Sequence, residues 1–89
     1  MNIEEIADSA LEWIISSIQE RGGTGRRISK LLWAKHPAIS YTLIPYVVEN
    51  LIIRKKIRLD EPMPGFVYMV PLNPDGSDMF LPEKGKEDG

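Results

Sequence analysis

Apolar residues recur along the chain in two rhythms, and the change between them separates helices from strands. Residues 3, 6, 7, 10, 11, 14, 15 and 18 are all apolar, which is the i, i+3, i+4 spacing of an amphipathic helix. The pattern predicts a first helix over about residues 3–21, ended by Gly22-Gly23, where left-handed backbone carries no steric cost. Thr24 stands where it can cap a second helix, whose apolar positions Ile28, Leu31 and Leu32 continue until Pro37 excludes helix at His36. That helix is expected over about residues 25–35. A third follows, with Leu43, Ile44, Val47, Val48, Leu51 and Ile52 at helical spacing and Ser40 or Thr42 as its cap. Pro45 favours Thr42, because a proline in the first turn lacks an N–H that would be unpaired anyway; the helix is then expected over about residues 43–54.

After residue 55 the rhythm shortens. Lys56-Ile57-Arg58-Leu59 alternates polar and apolar like a half-buried strand, and residues 66–70, Phe-Val-Tyr-Met-Val, are rich in β-formers. The turn-rich stretch Asp60-Glu61-Pro62-Met63-Pro64-Gly65 joins them into a hairpin. Prolines, glycines and acids dominate the remainder, which reads as an extended tail. The expectation is an α+β domain over residues 1–71, followed by an acidic, largely disordered C-terminal tail over residues 72–89.

Charge is sorted along the same map. Residues 21–58 carry nine Lys and Arg against the single acid Glu49, a balance of +8, whereas residues 1–20 and residues 59–89 each stand at −5. The formal net charge of −2 hides this asymmetry, and polyanion binding follows the local field rather than the sum. Arg26 and Arg27 fall in the expected first turn of the second helix, where positive charge opposes the macrodipole. A bound phosphate would reverse the sign of that interaction, and Glu20 of the first helix offers an alternative partner.

Other chemistries find little support. With no cysteine and one histidine, the chain has no thiol nucleophile, no disulfide framework and no histidine pair for a metal. His36, before a proline, reads as a capping or surface residue. Glu4, Asp8 and Glu12 share a helix face but lack the loop geometry hard cations prefer, and read as a solvated acidic face near a helix start. Gly22-Gly23-Thr24-Gly25 is not followed by the lysine and Ser/Thr of a phosphate-binding loop. No apolar run is long enough for a membrane span, and the acidic first twenty residues are unlike a signal peptide, so a soluble, cytoplasmic protein without enzymatic activity or cofactor is expected.

The order helix, helix, helix, hairpin resembles the winged helix-turn-helix family. The resemblance rests on residues 40–57, Ser-Tyr-Thr-Leu-Ile-Pro-Tyr-Val-Val-Glu-Asn-Leu-Ile-Ile-Arg-Lys-Lys-Ile, and on the strand Phe66-Val67-Tyr68-Met69-Val70. Leu51 and Ile57 keep the six-residue spacing of leucine and isoleucine seen in that family, while Lys55 stands where a helix-ending glycine is common. Covering about residues 3–70, the resemblance implies a helix-turn-helix with the third helix offered to the major groove and the hairpin as a wing. It implies a small transcription regulator that binds duplex DNA. The core stripe of the third helix takes Ile44, Val47, Val48 and Leu51, leaving Tyr41, Thr42, Pro45, Tyr46, Glu49, Asn50 and Ile53 outward. Of these, Tyr41, Thr42, Tyr46, Glu49 and Asn50 are the candidates for reading bases. Phosphate contacts would come from Thr24, Arg26, Arg27 and Lys30 on one side and Arg54, Lys55, Lys56 and Arg58 on the other. The acids Asp60 and Glu61 at the wing tip argue against insertion of the wing into a minor groove.

A rival reading uses the same fold as a protein-interaction module. Tyr46 and Ile53 suit a protein interface as well as a groove. The first helix has an apolar arc widened by Trp13 and Ile15 to about 200°, more than a one-sided helix needs. A homodimer through Trp13 and Ile15 would cover it, as would the apolar tail residues Met79, Phe80 and Leu81. The two readings differ in whether the basic middle segment folds into one contiguous surface.

Overall fold

The structure, a computed structural model, describes residues 2–33 and 39–81 of the 89-residue chain. Expectations that concern His36, Lys35, Pro37 and residues 82–89 lie outside the described residues.

Helix α1 spans Ile3–Arg21, as the periodicity predicts. Asn2 caps it, its Oδ1 accepting the Glu5 backbone N–H at 2.9 Å, and Glu4 and Glu5 place negative charge at the positive end of the helix. At the other end the Gly22 N–H donates to the Ile18 carbonyl, with Gly22 at φ +86°.

The next element departs from expectation. Arg26–Arg27 is a short strand, β1, and helix α2 begins only at Ile28 and runs Ile28–Trp33. β1 pairs antiparallel with a strand forty residues downstream, Arg26 opposite Met69 and Arg27 opposite Tyr68. The long-range ladder satisfies backbone groups that a first helical turn would have left unpaired. Thr24 therefore does not cap α2, and the two arginines precede α2 in a strand rather than lying in its first turn. Gly25 explains why the chain can come this close: a Cβ there would lie 2.8 Å from the Met69 carbonyl oxygen.

A 3₁₀ turn over Tyr41–Leu43 leads into α3, Ile44–Ile53. Neither Ser40 nor Thr42 caps through its side chain; their hydroxyls bond each other at 3.1 Å. Pro45 sits in the first turn of α3, where it removes no helical bond. β2, Ile57–Met63, and β3, Phe66–Pro71, form the expected hairpin, its turn fixed by Glu61 accepting the Gly65 N–H at 2.9 Å. The result is an α+β unit of three helices and a three-stranded antiparallel sheet ordered β1-β3-β2, rather than a two-stranded hairpin alone.

The core lies between α1, α3 and the sheet. Ala7, Ala10, Ile14 and Ile18 of α1 meet Ile44, Val47, Val48 and Leu51 of α3, with Leu31, Ile57 and Met69 closing the cluster. The α3 stripe is the one the spacing predicts. Residues 72–81 differ from the expected disorder: Leu72 bridges to Asp78, the Met79 N–H donates to the Pro71 carbonyl at 2.9 Å, and Phe80 packs on the core. Trp13 also packs on the core. On the wide apolar arc of α1, Trp13 thus packs within the chain, whereas Ile15, on its other side, is half-buried and is not among the residues packed on the core.

Candidate nucleic-acid interface

The cations of the middle segment separate into three groups. Arg54, at the C-terminal cap of α3, reaches back to α1, its Nη1 donating to Asp8 Oδ1 at 2.8 Å with Glu4 at 3.8 Å. Two of the three acids read from sequence as a solvated face, Glu4 and Asp8, are therefore partners of a clamp between helices, and Arg54 is occupied. Arg58 is likewise held, with Nε and Nη2 each 2.8 Å from the two oxygens of Asp78. The paired carboxylate raises the Arg58 pKa, and the hydrogen bonds from Arg58 hold Asp78 below the usual carboxylate range. Both arginines lose much of their value as phosphate ligands because that charge is already compensated.

Lys55 and Lys56 form the second group. They are exposed just past α3 and make no ion pair among the described residues. Lys55 has φ +60°. The Lys55 N–H donates to Ile52 O at 2.9 Å and the Lys56 N–H to Leu51 O at 2.8 Å, the paired bonds of a Schellman ending.

The third group is a cleft of about 250 Å³ lined by Arg21, Arg26, Arg27 and Lys30, with Trp13 and Tyr68 as its aromatic walls and Ser17 and Gly25 completing it. Among the described residues no carboxylate lines it. Arg26 is the framework cation: its Nε donates to Ser17 Oγ at 2.8 Å, its Nη2 to the carbonyls of Ser17 and Gly22, and its Nη1 to the Gly25 carbonyl. Every one of these acceptors is neutral. Burial, and then the nearby positive charge of Arg21, hold its pKa below the ordinary arginine value, though arginine stays charged. Arg27 lies 4.4 Å over the Phe66 ring, a cation–π contact that helps hold the guanidinium in place. Thr24 is not part of the cleft. It faces a separate hollow with Ile18, Gln19 and Phe80.

Sequence reasoning singles out three of the four cations of this cleft but misses Arg21, Ser17 and Tyr68. One signal was present: Trp13, Ser17 and Arg21 follow at i, i+4 and i+8, a stripe of α1 adjoining the core stripe of Ile14 and Ile18. Tyr68 joins only through pairing of β1 with β3.

Among the base-reading candidates, Tyr41 (72% exposed), Tyr46 (64%), Thr42 and Glu49 are open to solvent. Asn50 is half-buried, and its Oδ1 is buried without a hydrogen-bond partner, so it is not offered to a base edge. Ile53 is 69% exposed. The described residues contain no metal-ligating cluster and no helix long and apolar enough to cross a membrane. No protein-family model, curated protein or solved structure matches the chain.

Proposed function

We propose that the chain is a small winged helix domain that binds duplex DNA in the cytoplasm as a transcription regulator. The exposed face of α3 would be turned to the groove, and phosphates would be held by Lys55 and Lys56 on one side and the cationic cleft on the other. The observation that carries the proposal is the gathering of Arg21, Arg26, Arg27 and Lys30 around one cleft with no carboxylate in its lining among the described residues. Cations clustered on one surface are the electrostatic footprint of a polyanion site. The element order and the core stripe of α3 are compatible with the winged helix resemblance.

Titration of blunt duplex DNA across a salt series tests this. Non-specific affinity in the micromolar range or weaker is expected, falling steeply with salt because each neutralised phosphate releases counterions. Replacing Lys55 and Lys56 by Gln should flatten the slope of log K against log salt by about two, and replacing Arg21 and Arg27 by a similar amount. Absence of binding at low salt overturns the proposal.

That outcome would favour a protein-interaction module, for which a separate observation speaks. Ile44–Ile53 contains no Lys or Arg, and its exposed face presents Tyr46, Glu49 and Ile53. Apolar and aromatic residues on an exposed helix are the composition of a protein interface.

A further inference from the structure

We propose that the cleft between α1, β1 and the start of α2 is a nucleotide pocket, which takes one phosphate together with the flat ring of the same nucleotide. The inference rests on the DNA-binding proposal only for one possible source of that nucleotide.

Charge gives the first half of the argument. Arg26 spends its hydrogen bonds on the Ser17 hydroxyl and on three carbonyls, so it is positioned by the fold yet keeps an uncompensated positive charge beside Arg21. An anion in the cleft supplies the missing countercharge. Arg27 is pre-positioned: its guanidinium carbon lies 4.4 Å over the Phe66 ring, and the fork of a guanidinium suits a bidentate phosphate contact. Ser17 accepts the Arg26 Nε–H and retains its own hydroxyl proton to donate.

Shape and lining give the second half. At about 250 Å³ the cleft lies just under the usual range of small-molecule sites, roughly 300–1,000 Å³, so it accommodates one nucleotide unit better than a dinucleotide. A site for bare phosphate needs only cations. Here two aromatic side chains, Trp13 and Tyr68, line the same space, and both are half-buried, so each keeps part of its surface open. Stacking on such a ring raises affinity by about fivefold to 150-fold per base whatever its identity, the equivalent of about 1–3 kcal/mol.

The test uses the full-length, isotope-labelled protein at low salt, titrated with adenosine 5′-monophosphate, adenosine and inorganic phosphate while the Trp13 indole and the Arg27 and Tyr68 amide signals are followed by NMR. Saturable shifts at these three positions are expected, with the monophosphate binding at least about fivefold more tightly than either fragment. Arg27→Gln should weaken it by about tenfold while signals of the α1–α3 core stay in place. Equal affinity for monophosphate and inorganic phosphate would overturn the ring wall, and shifts confined to Lys55 and Lys56 would overturn the site. Competition identifies the source: displacement by a duplex with a single-stranded overhang but not by a blunt one assigns the nucleotide to a strand end, and displacement by neither assigns it to a free nucleotide; in both cases the cleft leaves the contacts to blunt duplex, which then fall to Lys55 and Lys56. If the blunt duplex displaces the monophosphate equally well, the cleft is an ordinary duplex phosphate contact; the nucleotide pocket then fails while the DNA-binding proposal stands. Monophosphate binding without blunt-duplex binding gives the opposite result.

Discussion

Lys55 is the single non-glycine residue with positive φ among those described, and it marks a conflict between stability and charge. Its left-handed backbone lets the N–H groups of Lys55 and Lys56 close the end of α3, at a conformational cost that glycine largely avoids. Lys55→Gly is expected to stabilise the fold by about 0.5–1 kcal/mol, read as a rise of a few degrees in Tm. The same change should weaken duplex binding, because one of two exposed cations at this corner is removed. This position was legible in the sequence, since the spacing of Leu51 and Ile57 places Lys55 where a glycine commonly ends the helix. The roles of Arg26 and Arg54 were not. Each depends on acceptors brought close only by folding: Ser17 and Gly22 at the end of α1, and Asp8 forty-six residues away.

For elements, local signals decided how much could be read. α1 and α3 are long enough for their apolar period to be unambiguous, and Ile44, Val47, Val48 and Leu51 are all buried. Leu51 has no exposed surface, so Leu51→Ala should cost about 2–5 kcal/mol in chemical denaturation, a large fraction of the stability of so small a domain. A loss below about 1 kcal/mol would mean that α3 packs in another register. β1 shows the opposite case. Two residues carry no periodicity, Thr24-Gly25 resembles a helix start, and the pairing partners Tyr68 and Met69 lie some forty residues on. The one local trace is Gly25, needed for close backbone approach rather than for a turn. Moving Arg26 and Arg27 from a helix to a strand also changed the candidate site, from a helix N-terminus to a cleft.

Across the whole molecule, ion pairs reinforce at the surface contacts that the core makes inside. Arg54 ties α3 to α1, and the bidentate Arg58–Asp78 pair holds residues 72–81 to β2. Asp78 titrates below its ordinary value when folded, so its contribution is present above the unfolded carboxylate pKa near 4 and is lost as the pH falls through the depressed folded value. Both partners are partly exposed, which limits the pair to at most about 1 kcal/mol. Asp78→Asn should therefore lower Tm slightly at pH 7, with the gap from the unmodified chain closing below about pH 4 in a thermal-melt series. Arg26 behaves differently from these pairs. Its partners are a hydroxyl and carbonyls rather than carboxylates, and dissolved ions screen charge–charge attraction far more than short hydrogen bonds to neutral oxygens. Rising ionic strength should thus loosen a bound anion well before it loosens the corner that holds the anion. The cleft can be emptied by salt and still be found assembled, ready to refill on dilution.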